Sequence, residues 1–140
     1  MTDSPTARAP DAPTPYELIG GAARIAALVD RFYAIMAERE SALTALHPTT
    51  PTGTVDDGTR HRFALFLEGW LGGPQTYTEQ HGHPRLRMRH GRVGVDLAMR
   101  DAWLRCMTAA MDDLALTGPL RAFLDKRFAD VADFMRNREG

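Results

Sequence analysis

Apolar side chains recur at helical spacing in four separate stretches of this chain, and no other feature constrains the fold so strongly. The stretches are Ile25 to Met36, Thr59 to Trp70, Met99 to Leu114 and Leu120 to Met135. Apolar residues three and four positions apart lie on one face of an α-helix. The pattern therefore predicts four long amphipathic helices that bury their apolar faces against one another, which is an all-α domain.

Glycine and proline mark the ends of these helices. Gly20-Gly21 predicts a tight corner before the first long helix, Gly72-Gly73-Pro74 ends the second, and Gly118-Pro119 opens the fourth. Thr54 and Asp57 have the spacing of a capping box, so we expect Thr54 to begin the second long helix.

The chain length of 140 residues is that of one compact domain. Residues 1–15 contain four prolines and no large aliphatic or aromatic side chain except Met1, so they predict a flexible tail. We expect the folded domain to comprise residues 16–140.

The composition excludes several classes of protein. With 17 basic and 18 acidic residues the charge is nearly balanced, which gives no reason to expect nucleic acid or an anionic membrane as a partner. The single cysteine, Cys106, excludes an internal disulfide and a cage of several thiolates. No stretch has the apolar length of a membrane helix or a signal peptide. We expect a cytoplasmic protein.

The stretch from Gly72 to Asp96 has little helical periodicity of its own. Residues 75–84 are polar and predict an irregular loop, and residues 85–89 alternate as a strand would, with no second strand to pair with. Leu86 and His90 are four positions apart, so a single helical turn would place them on one side. We expect this stretch to lie against something, and a bound cofactor would serve.

Motifs in this stretch and on both sides of it resemble those of the group II (O-type) truncated haemoglobins of bacteria, in the same order and spacing. The matching runs are Tyr16–Gly21, Arg31–Tyr33, Trp70–Tyr77, Gly82–His90 and Arg100–Met107. The resemblance extends over residues 16–136 and implies the family's truncated globin fold, a two-over-two helical sandwich around haem b. It departs after His90, where Gly91-Arg92-Val93 stands in place of the Pro-Phe common in the family.

The resemblance implies that His90 is the protein's axial ligand to the haem iron, which in a globin takes one imidazole on that side. The alternative is a zinc site made by His81, His83 and His90. Zinc usually takes three or four ligands, often including cysteine or carboxylate, so we favour haem. The other haem-contacting residues implied are Leu86, Met88, Tyr77 and Arg89.

Four arginines crowd the same segment, at positions 85, 87, 89 and 92. Guanidinium groups fit nucleic-acid phosphates, and they equally fit the two carboxylates of haem. We favour the haem propionates, with Arg89 and Tyr77 as the preferred contacts and at least two of the arginines simply solvated.

The resemblance also implies a distal pocket that holds a small ligand. Tyr33, Trp103 and His47 correspond to its polar residues, and bound oxygen carries partial negative charge that such groups stabilise. The remaining positions implied for the pocket are Thr59, Phe63 and Leu67. A plain core role is compatible with this, because a buried Tyr or Trp still needs a partner for its polar atom.

Three functions remain open from the residues. The first is a five-coordinate haem protein that binds oxygen and other small diatomic ligands for scavenging, sensing or redox chemistry rather than bulk transport. The second is a peroxidase-like or nitric oxide dioxygenase enzyme, which would need an external reductase. The third is a haem-free helical interaction module. Either a monomer or a homodimer suits all three.

Overall fold

The computed structural model describes residues 12–82 and 96–135, and it is built from α-helices. The helices are α1 Pro15–Ile19, α2 Gly21–Arg39, α3 Ser41–Thr44, α4 Asp57–Trp70, α5 Thr76–His81, α6 Leu97–Asp113 and α7 Gly118–Met135. Within the described ranges, β-pairing is limited to one isolated bridge between Thr49 and Val55. The predicted all-α class is confirmed.

The four long predicted helices correspond to α2, α4, α6 and α7, and their apolar faces form one core. Helix α2 packs against both α4 and α6, and α6 packs against α7, so two helices lie over two. The largest side chains in the core, each almost fully buried, are Phe32, Phe128, Ile25, Leu28, Ile35, Met36, Leu67, Met107, Met111 and Leu124. Burial of this apolar surface is the main favourable term in folding.

Two local predictions are wrong. Residues 76–81 form helix α5 instead of an irregular loop.

The second wrong prediction concerns the start of α4. Helix α4 is capped by Asp56, whose carboxylate accepts a 2.7 Å hydrogen bond from the Thr59 amide. Thr54 instead bonds to Thr50 across the loop, with 2.8 Å between their hydroxyl oxygens. The loop closes on itself through these threonines, which places the start of the helix two residues later than the spacing suggested.

Helix α1 begins with a complete capping box. The Thr14 hydroxyl accepts from the Glu17 amide at 3.0 Å, and the Glu17 carboxylate accepts from the Thr14 amide at 2.8 Å. The Tyr16 amide donates to the Leu71 carbonyl at 2.9 Å, so α1 is joined to the end of α4.

Three arginines connect α2 to α6 and its C-terminal end. Arg24 donates to the Leu114 carbonyl at 2.8 Å, Arg31 pairs with Asp113 at 2.6 Å, and Arg105 makes two hydrogen bonds to Glu40, at 2.9 and 3.1 Å. Exposed ion pairs contribute little stability individually. Together they hold α2 and α6 in one register, and these two helices carry Tyr33 and Trp103.

In the described part of the chain, no helix has the length and apolar character needed to cross a membrane.

We expect Gly73→Ala to destabilise the protein by about 1–3 kcal/mol, because overpacking forces rigid groups apart. A Cβ at Gly73 would lie 2.4 Å from Cδ1 of the Tyr16 ring. Urea unfolding measures the loss. In a Tyr16→Leu background the same substitution should cost clearly less, since the ring is gone. Equal losses in the two backgrounds would show that the Tyr16 ring is not the obstacle.

Candidate functional site

Phe32 lies at the centre of a cluster of rings that joins three helices. Its ring centroid is 4.9 Å from that of Tyr33 in α2, 5.7 Å from Phe63 in α4 and 5.2 Å from Trp103 in α6. Tilted and edge-to-face contacts of this kind stabilise aromatic pairs beyond the area they bury. The cluster therefore holds Tyr33 and Trp103, which come from distant parts of the sequence, at fixed positions around one ring.

Tyr33 is only 7% exposed, and its ring contacts Phe63 at a centroid distance of 5.9 Å. No other described residue makes a hydrogen bond to its hydroxyl. Burial is the main reason that the pKa of Tyr33 is raised; the charge of Arg62 lowers it, and that of Asp56 raises it further. A phenol with a raised pKa stays protonated at neutral pH, so this hydroxyl is available as a donor.

Trp103 presents the second polar atom of the cluster. Its ring is half-buried and lies 6.4 Å from that of Phe63. Its indole Nε1 has no acceptor within the part of the chain that the structure describes. Buried Trp and Tyr side chains normally find a partner for the polar atom. Two such donors, on rings that both contact Phe32 and Phe63, suit a site for a small polarised ligand.

His47 approaches the cluster from the loop that follows α3. Its ring stands edge-on to Tyr33, with 5.8 Å between centroids, and its Nδ1 lies 2.9 Å from the Leu43 carbonyl oxygen. A carbonyl only accepts, so Nδ1 must carry a proton. In the neutral ring Nε2 is then an acceptor, and it becomes a donor only when the imidazole is doubly protonated.

Thr59 and Leu67 lie one turn before and one turn after Phe63 along α4. Leu67 is fully buried in the core. Thr59 is half-buried, and its hydroxyl accepts a 3.3 Å hydrogen bond from Nη2 of Arg62. The two residues therefore differ in environment: Leu67 has only apolar atoms to offer, and Thr59 lies beside an exposed charge.

Tyr77 belongs to a second group of rings, between α4, α5 and α7. It is 8% exposed and contacts Phe66 at 6.0 Å and His81 at 4.9 Å between centroids. This group reaches the first one through Phe128, which is 5.8 Å from Trp103 and 5.3 Å from Trp70. Tyr77 is thus separate from Tyr33 and His47.

Phe32 and Phe128 lie within the apolar stretches that predict the long helices and were not predicted as site residues, although they connect the predicted ones. Both lie at positions that helical periodicity assigns to the core, and periodicity does not distinguish a core ring from one that touches a site. An aromatic residue directly before Tyr33 is the only signal in the sequence that could have indicated Phe32.

The predicted axial ligand His90 and the predicted contacts Leu86, Met88 and Arg89 lie outside the described residues. The three other arginines of that segment and His83 do so too. Over residues 12–82 and 96–135, no three side chains of His, Cys, Asp or Glu are placed to hold a metal ion together. Cys106 is buried, and burial raises the pKa of its thiol to about 11, so at neutral pH the free thiol is protonated.

The described side chains fit a haem pocket on its ligand-binding side. Such a site needs an apolar wall with a small number of aimed polar groups. The Phe32 and Phe63 rings supply the wall, and the Tyr33 hydroxyl and Trp103 Nε1 are polar atoms without a partner in the described protein.

Comparison with known proteins shows which family the chain belongs to. A family model described as bacterial-like globin matches residues 14–137. The group 2 truncated haemoglobin YjbI of Bacillus subtilis is 40% identical over 124 residues, which are 89% of each chain. The crystal structure of the group II truncated haemoglobin from Bacillus anthracis has a TM-score of 0.85 and 38% identity, covering 93% of this chain and 95% of that one.

The X-ray structure of the truncated oxygen-avid haemoglobin from Bacillus subtilis has a TM-score of 0.77 and 40% identity, over 89% of this chain and all (100%) of that one. At these levels of identity and coverage both the fold and the family are shared. The described helices accordingly form the truncated globin fold predicted from the sequence. The chain belongs to the bacterial-like globin family and, within it, to the group II truncated haemoglobins.

Proposed function

We propose that this protein binds haem b through His90 and holds oxygen or another diatomic ligand in the pocket lined by Tyr33, Phe63 and Trp103. Membership of the globin family implies haem and small-ligand binding. The single observation that carries the finer proposal is the convergence of Tyr33 and Trp103 on Phe32, at centroid distances of 4.9 and 5.2 Å.

Haem held by His90 would supply an iron with an open position at which the ligand binds. Tyr33 and Trp103 then donate hydrogen bonds to the ligand, whose partial negative charge strengthens them. The phenol is a donor at neutral pH, and burial raises the pKa of Tyr33 further above its ordinary value of 10.0. Phe63 and Leu67 exclude water from the pocket, and Thr59 lies at its outer edge.

The proposed role of His47 differs from that of the two donors Tyr33 and Trp103. While the Leu43 carbonyl holds its Nδ1 proton, the neutral ring offers Nε2 as an acceptor. Neutral His47 therefore cannot donate from Nε2, and it donates to the ligand only after a second proton is added.

Two donors slow the release of oxygen. Each neutral hydrogen bond is worth about 1 kcal/mol, and about 1.4 kcal/mol corresponds to tenfold in rate, so two or three give roughly ten- to a hundredfold. Slow release does not suit bulk delivery. We therefore propose scavenging, sensing or redox chemistry of the ligand. The truncated haemoglobin of Bacillus subtilis is oxygen-avid, and we extend that property to this chain.

A second candidate is an enzyme, peroxidase-like or a nitric oxide dioxygenase. The position of His47 favours it, because its imidazole lies beside Tyr33 and histidine exchanges protons near neutral pH. Sustained turnover would draw electrons from an external reductase.

The absorption spectrum of the purified protein tests the main proposal. We expect an intense haem band that shifts when carbon monoxide is added to the reduced protein, and a five-coordinate ferrous spectrum before addition. A colourless protein that does not take up added haem would contradict the proposal and favour the helical interaction module.

A further inference from the structure

We infer that Trp70, Phe123 and Arg127 form a docking surface for an acidic electron-transfer protein that reduces the haem iron. These three residues are called the Arg127 patch below. The inference rests on the redox reactions proposed above, which draw electrons from an external donor, and it names the place and the chemistry of that donor. None of the three residues is among those proposed to hold the ligand.

The Arg127 guanidinium lies over two rings. Its Cζ is 4.7 Å from the centroid of Trp70, at the end of α4, and 5.7 Å from that of Phe123, one turn earlier in α7. Cation–π contacts of this length hold the guanidinium in place. Phe123 is 39% exposed, and Arg127 is exposed as well. The patch therefore presents a positive charge and apolar surface together, and a side chain that is already held loses less freedom when a partner binds.

The charge of Arg127 is not paired within the described ranges. The two cations nearest to it in α7 are paired: Lys126 lies 3.1 Å from Asp130, and Arg121 lies 2.9 Å from Asp125. The carboxylates on this part of the helix are thus engaged with other cations. A carboxylate of a partner is the group that complements a guanidinium, with which it makes charge-assisted hydrogen bonds. A protein that contributes carboxylates to this surface is an acidic one.

Ring contacts lead inward from the Arg127 patch to the proposed ligand pocket. The Trp70 ring is 5.3 Å from that of Phe128, and Phe128 is 5.8 Å from Trp103, which is one of the two proposed donors to the ligand. Electron transfer slows steeply as donor and acceptor move apart, so a donor gains from docking where packed side chains reach the pocket in two contacts. This continuity favours an electron donor over other acidic partners.

The proposed step is the transfer of one electron. A partner that carries a reduced flavin, in the anionic hydroquinone form, loses one electron and becomes a neutral semiquinone. The ferric haem iron gains that electron and becomes ferrous. No covalent bond forms or breaks, and no proton moves.

The experiment measures how fast reduced flavodoxin, a small acidic flavoprotein, reduces the haem-loaded ferric protein under carbon monoxide, which traps the ferrous form. We expect Arg127→Gln to lower the second-order rate constant roughly three- to tenfold at low ionic strength and to match the parent in 1 M salt. Phe123→Ser removes apolar surface without a change of charge, so its slowing should persist in 1 M salt. Hexaammineruthenium(II), a small cationic reductant, should reduce neither variant more slowly than the parent.

Lys126→Gln is the matched control. It removes one positive charge from the neighbouring position of α7, where the side chain is 77% exposed and paired with Asp130. Its rate with flavodoxin should stay within twofold of the parent, a margin of about 0.4 kcal/mol. Hydrogen exchange is an independent readout. Oxidised flavodoxin should protect the backbone around Phe123 and Arg127 in the parent and in Lys126→Gln, and should protect it less in Arg127→Gln.

Four results would overturn the inference. One is a flavodoxin rate in Arg127→Gln equal to that of the parent at low salt. Another is an equal slowing in Lys126→Gln, which would mean that flavodoxin responds to overall charge. The third is a parent that hexaammineruthenium(II) reduces and flavodoxin does not. The fourth is protection of the Arg127 patch by self-association of the parent without flavodoxin, which would make it an interface between two copies. A parent protein without haem would instead contradict the proposed function itself.

Discussion

The His90→Ala protein is expected to lose stable haem binding. His90 is the only residue that we propose as a protein ligand to the iron, and alanine has no atom that coordinates a metal. Titration of the apoprotein with haem, followed by absorbance, should show weak uptake without the sharp saturation of the parent. The thermal stability should fall as well, because a ligand that binds only the folded state adds about 4 kcal/mol at a thousandfold excess over its Kd.

Two controls make this result specific. His61→Ala removes an exposed imidazole from α4 and should leave haem uptake unchanged. Added imidazole should partly restore binding to His90→Ala, because a free ring can occupy the space that the side chain leaves. Normal haem retention with an unchanged iron–imidazole vibration would show that another residue coordinates the iron.

Oxygen should leave the Trp103→Phe protein about tenfold faster than the parent, with a smaller change in association. Phenylalanine keeps a ring against Phe32 and Phe63 and deletes the indole N–H, so the loss is that of one hydrogen bond to a charged acceptor, about 1.5 kcal/mol or more. Flash photolysis or stopped-flow mixing of the oxygenated protein measures both rates.

Tyr33→Phe tests the second donor and its coupling to the first. If Tyr33 donates to the ligand, oxygen dissociation should accelerate; if it mainly serves His47, the change should have the opposite sign. Tyr33 and Trp103 both contact Phe32, at 4.9 and 5.2 Å between centroids. Neighbours in one network are not additive, so the double variant should differ from the sum of the single ones.

Carbon monoxide is the control ligand for both variants, because it carries less charge when bound and depends less on donors. Its dissociation should change less than that of oxygen. If Trp103→Phe left oxygen dissociation unchanged, or altered both ligands equally, Trp103 would act by packing alone.

Much of the fold could be predicted because the relevant information is local. Helices α2, α4, α6 and α7 follow from apolar residues that recur at helical spacing. Gly20-Gly21 and Gly72-Gly73-Pro74 end helices through the backbone preferences of glycine and proline, which do not depend on the rest of the fold. The short helix α5 was not predicted because Tyr77 is its single buried ring among five polar residues, and one ring does not define an apolar face. The cap of α4 was misplaced because Thr54 and Asp56 are both good capping residues, and the closure of the loop decided between them.

The candidate site was also predicted only in part from the sequence. The sequence by itself determined which residues belong to the proposed pocket, among them Tyr33, His47 and Trp103, through motifs whose order and spacing resemble one family. Only the tertiary structure decided what each of them does to its neighbours. Phe32 joins Tyr33 to Trp103, and the Leu43 carbonyl selects the proton position on His47. Contacts between residues far apart in the chain depend on how the helices pack, and no local pattern encodes that packing.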